Sequence, residues 1–181
     1  LGQMKLCDNF LVFLPYEGFD IWKYDTLTGE WTVDKITILN LYKNLGTAAY
    51  GNIAYSCVYF NGCLWIVTGC SDYLLKYNVN TGESELHKNG VDKYVYTYIT
   101  ADENRLYLLD NINNIIAITN DGIDCMVIKI QTSLIKKYWN TENGELCLFK
   151  AVLNVGNYIV LIPAFSDTFI KINKITNEQS A

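Results

Sequence analysis

The apolar positions of the chain fall into short runs of about five to seven residues, bounded by Asn, Asp and Gly and rich in β-branched and aromatic side chains. Runs this short, with only two prolines in the whole chain, predict strands. Four of them, FLVFL at 10–14, CLWIV at 63–67, RLYLL at 105–109 and YIVLI at 158–162, are almost continuously apolar. That pattern predicts strands buried on both faces. Asn61-Gly62, between SCVYF and CLWIV, is a two-residue hairpin signal, because a type I′ turn needs a positive φ at both central residues. Cys7-Asp8-Asn9, Asp102-Glu103-Asn104 and Asn154-Val155-Gly156-Asn157 stand at the equivalent place before the other three runs. Residues 133–140 group their apolar positions at helical spacing and predict a helical turn or two in a connection, and 39–45 reads similarly.

These runs recur in a frame. The stretch LVFLPYEGFDIWKYDTLTGEW at 11–31 contains Lys23-Tyr24-Asp25 followed by Thr28-Gly29-Glu30. LWIVTGCSDYLLKYNVNTGE at 64–83 repeats it with Lys76-Tyr77-Asn78 and Thr81-Gly82-Glu83, and YIVLIPAFSDTFIKINKITNE at 158–178 with Lys171-Ile172-Asn173 and Thr176-Asn177-Glu178. A degenerate copy, RLYLLDNINNIIAITNDG, occupies 105–122. Gly29 and Gly82 are 53 residues apart, Gly82 and Gly122 are 40 apart, and Gly122 and Asn177 are 55 apart. The mean, roughly 49, is the period of propeller blades. Each copy then supplies four antiparallel strands: 3–7, 10–15, 19–25 and 30–36; 54–60, 63–69, 73–79 and 83–88; 95–101, 105–109, 114–119 and 124–130; and 147–153, 158–163 and 168–173, after which the sequence stops. The reading is an all-β, β-propeller or partial-propeller chain of about four blades, the last incomplete. It forms a single domain over 1–181, with blades near 1–40, 50–90, 94–131 and 145–181.

At Tyr24-Asp25-Thr26-Leu27-Thr28-Gly29-Glu30-Trp31 the chain resembles a Kelch-type β-propeller repeat, in which a Tyr-Asp pair ends the third strand and a Trp follows across a turn. Tyr77-Asn78-Val79-Asn80-Thr81-Gly82-Glu83 is similar without the Trp, while the family's Gly-Gly doublet before the third strand is absent. The resemblance implies rings of six or seven blades. Three full blades and a shortened fourth therefore predict an arc, completed by a second copy or by further blades, in preference to a small four-bladed ring. An arc alone exposes two large apolar blade faces.

Composition narrows the function. The 181 residues are 50% apolar and 18% charged with a net charge of −5, which excludes disorder and describes a chain able to build a core. No apolar run reaches the ~18 residues of a membrane helix. The negative charge and the lone arginine, Arg105, argue against nucleic acid. The bias toward Lys, Asn, Ile and Tyr suggests a microbial, AT-rich genome. Residue 1 is Leu and no signal peptide is visible, so the sequence reads as a mature or excised chain; the cytoplasm is the default compartment and export stays open. Most of the six cysteines, Cys7, Cys57, Cys63, Cys70, Cys125 and Cys147, lie in strand-like apolar surroundings and are expected as buried thiols.

Candidate chemistry is sparse. The one histidine, His87, is expected on an exposed outer strand, and with it alone no Cys/His zinc site is expected. No nucleophile elbow, P-loop, zinc-protease or dinucleotide motif occurs, so no catalytic residue, metal or cofactor is expected. Asp20, Asp72 and Asp167 recur at the start of the third strand, with Asp110 near the equivalent place. They are expected as local turn caps. Asp20, Asp72, Asp167 and Tyr73 are also the residues to test for ligand binding, since carboxylates and aromatics lining a channel mouth suit a glycan, and glycosidic chemistry needs two carboxylates roughly 5–10 Å apart. Lys23, Lys76 and Lys171 are expected as a solvated row, and Tyr16, Trp31, Tyr73, Tyr138 and Trp139 mainly as packing aromatics. The expected function is a non-enzymatic binding or scaffold module that presents loops to a protein partner. The alternative is a carbohydrate- or cell-envelope-recognising propeller, including a glycan-active enzyme.

Overall fold

The computed structural model describes residues 2–14, 20–36, 56–67, 73–88, 96–110, 114–119, 125–134, 148–164 and 166–181. The expected helical segment at 39–45, most of that at 133–140, Asp72, Cys70, Cys147, Tyr16, Tyr138 and Trp139 lie outside them. Among the described residues the structure is all-β apart from a 3₁₀ turn at Thr132–Leu134, and no helix is long and apolar enough to cross a membrane.

The strands form four four-stranded antiparallel meanders, each in sequence order. Sheet A holds β1 (Gln3–Cys7), β2 (Phe10–Leu14), β3 (Asp20–Asp25) and β4 (Trp31–Lys35). Sheet B holds β5 (Ser56–Phe60), β6 (Cys63–Val67), β7 (Tyr73–Asn78) and β8 (Ser84–Lys88). Sheet C holds β9 (Tyr96–Ala101), β10 (Arg105–Asp110), β11 (Asn114–Thr119) and β12 (Cys125–Lys129). Sheet D holds β13 (Phe149–Val155), β14 (Tyr158–Pro163), β15 (Ile170–Asn173) and β16 (Gln179–Ser180). The fourth sheet thus has a fourth strand, paired through Ile172–Gln179 and Lys171–Ser180, and its incompleteness lies in length: β16 is two residues where β4, β8 and β12 have five.

The chain divides into two compact units, Leu1–Thr97 and Tyr98–Ala181, the division falling inside β9. In the first, Cys7, Val12, Leu14 and Ile21 of sheet A pack with Cys57, Leu64, Ile66, Leu75 and Tyr77 of sheet B. In the second, Tyr107, Leu109, Ile115 and Ala117 of sheet C pack with Val152, Ile159, Leu161, Ile170 and Ile172 of sheet D. Burial on both faces holds for β6 and for β10 from Leu106 onward, but β2 and β14 alternate. Their second faces carry partly covered or exposed apolar residues.

The repeated D/N-x-x-T-G/N-E motif is a self-contained turn. Asp25 Oδ1 accepts from the amides of Leu27 and Thr28, Asn78 Oδ1 from those of Asn80 and Thr81, and Asn173 Oδ1 from those of Ile175 and Thr176. The threonine hydroxyls accept from the amides of Glu30, Glu83 and Glu178. The next position is left-handed, with φ of 76° at Gly29 and Gly82 and 59° at Asn177, which glycine adopts freely and Asn tolerates. Asn61 and Gly62 at φ 49° and 76° form the expected I′ hairpin. A Cβ on Gly82 would lie 2.9 Å from Asp34 Oδ2, whereas at Gly29 the nearest atom is Tyr24 Oη at 3.8 Å. Both alanine variants carry left-handed strain of about 1–2 kcal/mol, and only Gly82→Ala also displaces Asp34. Urea unfolding is therefore expected to show Gly82→Ala as the more destabilised of the two; equal losses would contradict the role given to Asp34 below.

Candidate functional site

The groups with the most altered chemistry sit where sheets join. Lys23, on the face of β3 turned toward sheet B, is only 6% exposed. Its Nζ lies 2.7 Å from Asp34 Oδ2 on β4 and donates to the Val79 carbonyl at 3.0 Å, just past the end of β7. Tyr77 of β7 donates its hydroxyl to the same Asp34 oxygen. Burial alone would raise the Asp34 carboxyl, but the hydrogen bonds from Lys23 and Tyr77 outweigh it and hold the group below its ordinary value of 3.8. Burial, and then the hydrogen bond to Asp34, push the Tyr77 hydroxyl up. A lysine ammonium is costly to bury unless paired, and this arrangement pairs it twice. The lysine row is thereby corrected: Lys23 is buried because sheet B covers its face. Lys76 is partly exposed, paired with Glu85 at 2.8 Å and set over the Trp65 ring; Lys171 is exposed.

The second unit has a clasp of the same composition. Asp102 Oδ2, in the turn after β9, accepts from Tyr107 at 2.8 Å and lies 3.2 Å from Lys174 Nζ in the β15–β16 turn; Lys174 also donates to Asn154 Oδ1. Burial raises the Asp102 carboxyl, and the bonds from the Asn104 amide, Tyr107, Lys174 and the Arg105 amide together bring it below the ordinary value. A carboxylate with a lowered folded-state pKa stabilises the fold above its unfolded value and loses that contribution as pH falls through the lowered one. Stability is therefore expected to drop as pH falls below the ordinary carboxyl value of 3.8 and through the lowered one, and Asp34→Asn and Asp102→Asn to flatten that limb. Urea midpoints at neutral and acid pH check this; an unchanged slope in both variants would contradict it.

The residues selected from sequence fare differently. Asp20 opens β3 and Tyr73 opens β7, the same register position in neighbouring sheets, and both are half-buried. Asp167 is exposed just before β15, where it accepts from the Thr168 hydroxyl. The cap itself is Ser166, whose Oγ accepts from the Thr168 amide. Asp110 is fully buried, accepting from the amide and side chain of Asn114. His87 is not the exposed histidine expected: it is half-buried, edge-on to Trp65 at 5.5 Å. Trp31 is 56% exposed, with its ring packed at a tilt against Phe13 and Tyr24. Cys7, Cys57 and Cys63 are buried free thiols, and burial pushes Cys7 to about 12 and Cys57 to about 11; Cys125 is the exposed exception among those described. No group of three or more His, Cys, Asp or Glu among the described residues is arranged to hold a metal ion.

Of the selected residues, Asp167 lines a cavity. It borders a groove of about 800 Å³ on the open face of sheet D with Val155, Val160, Phe169 and Lys171. Asp34, Tyr77 and the Asp102 clasp were missed from sequence. The available signal was the repeated Lys-Tyr pair at 23–24 and 76–77, which reads as strand until the neighbouring sheet is in place.

Four meander sheets of four strands, stacked face to face within each unit, are the blades of a β-propeller. Solved propellers superpose on the chain: virginiamycin B lyase from Staphylococcus aureus, with TM-score 0.67 at 14% identity over 98% of this chain and 53% of that one; BamB from Moraxella catarrhalis, with TM-score 0.62 at 13% identity over 98% and 51%; and a chain of a nidogen/laminin complex, with TM-score 0.62 at 9% identity over 100% and 63%. At these identities the likeness shows the fold. The chain spans between about half and three-fifths of the length of the chains it resembles. No protein-family model matches the sequence, and no curated protein matches it.

Proposed function

We propose that this chain is a non-enzymatic β-propeller binding module, a single domain over 1–181 with a repeat of Kelch type, which presents inter-strand loops to a protein partner. The observation that carries the reading is where the perturbed groups are spent. Shifted carboxyls and tyrosines gather at reaction sites when a fold performs catalysis; here Asp34, Tyr77, Asp102 and Tyr107 are engaged in joining sheet to sheet. The similar chain solved within a nidogen/laminin complex is consistent with protein binding on such a scaffold. Immobilised folded chain is expected to retain at least one protein from an extract of the source cell that heat-unfolded chain does not. An empty capture would contradict the proposal.

A glycan-binding reading is favoured by one feature, the placement of Asp167 beside the exposed ring of Phe169 in the sheet D groove. A ring stacks on the C–H face of a sugar while a carboxylate accepts from its hydroxyls. Asp20, Asp72 and Tyr73 are the further candidates on this reading. Glycan binding that is lost in Asp167→Ala and Asp72→Ala, with folding intact, supports it; wild-type chain that binds no glycan contradicts it.

A further inference from the structure

The last strand of each sheet is an edge, and these edges are blunted unequally. β4 carries Asp34 and Lys35, and β8 carries Glu85, His87 and Lys88. β12 reads CMVIK, with Lys129 as its one charge. Charges are how an edge strand is protected from pairing with another chain. β12 is the edge left open: Val127 is 39% exposed, and Cys125 and Lys129 are exposed beside it on the same face. One rung of a further strand is already in place on it. The side-chain amide of Gln179, within the same unit, accepts from the Gln131 amide at 2.8 Å and donates to the Lys129 carbonyl at 2.7 Å. A carboxamide held in this way pairs with the edge as the backbone of a neighbouring strand does. Lys129 therefore turns its carbonyl away from β11, and by the period of two Val127 and Cys125 turn their amides and carbonyls the same way. Among the described residues no hydrogen bond from outside sheet C reaches Cys125 or Val127.

We propose that β12 receives an extended segment of a partner polypeptide as a fifth strand of sheet C, lying along Cys125–Lys129 and abutting the Gln179 amide. In strand addition the main chain supplies the affinity and the alternate side chains supply the choice of partner. The chemistry of the segment follows from the side chains it meets. A β-branched apolar residue packs beside Val127, and a carboxylate pairs with Lys129, the one charge of the strand. The inference goes beyond the loop-presenting module proposed above, because it concerns a strand edge. An empty capture from extract and a failure of strand addition are separate results.

The test adds a short capped peptide of alternating valine and threonine, with a glutamate at each end, to the 181-residue chain and follows amide hydrogen exchange. In the free chain the Val127 and Lys129 amides are expected to exchange fast, and those of Met126 and Ile128, which face β11, slowly. Saturating peptide is expected to slow Val127 and Lys129 by about tenfold or more. Val127→Pro removes one outward donor and no bond to β11, a change that an edge strand tolerates. It is expected to weaken binding by about tenfold, the worth of one ladder hydrogen bond, with an unchanged urea midpoint. Lys129→Glu is expected to weaken binding of this peptide by about two- to fivefold, and to favour by as much a peptide with lysine in place of the glutamates. Amides of Val127 and Lys129 that the peptide leaves unprotected overturn the proposal. Equal protection by the peptide N-methylated at alternate residues, in either phase, overturns it too, since the contact is then no ladder. Protection already present in the free chain overturns it in one of two ways: if it rises with concentration, two copies pair edge to edge, and if it does not, the chain covers its own edge.

Discussion

Replacing Asp34 by alanine is expected to destabilise the first unit by about 3–5 kcal/mol, the range for removing one partner of a buried ion pair. The loss exceeds that of one hydrogen bond because the substitution leaves the Lys23 ammonium, 6% exposed, with the Val79 carbonyl alone, and leaves the Tyr77 hydroxyl buried without its acceptor. The comparison that identifies the cause is a rescue. Lys23→Met in the Asp34→Ala background removes the stranded charge while keeping an unbranched chain against sheet B, and is expected to recover more than half of the loss. Urea denaturation of the three proteins measures both effects. An Asp34→Ala loss below about 1 kcal/mol, the worth of an exposed pair, would mean that the clasp is solvated and not structural.

The second large effect belongs to packing. Leu161 is fully buried between sheets C and D, so Leu161→Ala is expected to cost about 2–5 kcal/mol through lost transfer energy and the cavity left behind. Leu27 is 74% exposed at the tip of the β3–β4 turn, and Leu27→Ala is expected to change stability by less than about 0.5 kcal/mol. Thermal or urea midpoints for the pair check the assignment of core and surface. Equal losses would show that the interior of the second unit is misplaced.

Much of the fold was legible because blade strands obey local rules. The Asn61-Gly62 turn, the Asx-x-x-Thr-Gly turn and the apolar run of each second strand declare themselves within a few residues, and the observed strands fall within a residue or two of most expected bounds. β16 was not legible, because two residues after Glu178 carry no pattern. The lysines were misread for a related reason. Lys23 and Lys171 stand at the same place in the repeated frame, and only the presence of sheet B beside Lys23 decides that it is buried and the other solvated. Burial on a sheet face is a property of the next sheet, which periodicity within a strand does not report. The clasp carboxylates were invisible on the same ground. Asp34 and Asp102 lie outside the repeated motif, and their partners arrive from 43 and 72 residues away in Tyr77 and Lys174.

The most direct test of the account is a double-mutant cycle between Asp34→Ala on sheet A and Tyr77→Phe on sheet B, read by urea unfolding. If carboxylate, lysine and tyrosine form the joint between neighbouring blades, the two losses will be non-additive, with a coupling of about 1–3 kcal/mol. Strictly additive losses would contradict it, since the two sheets would then be held by their apolar faces alone.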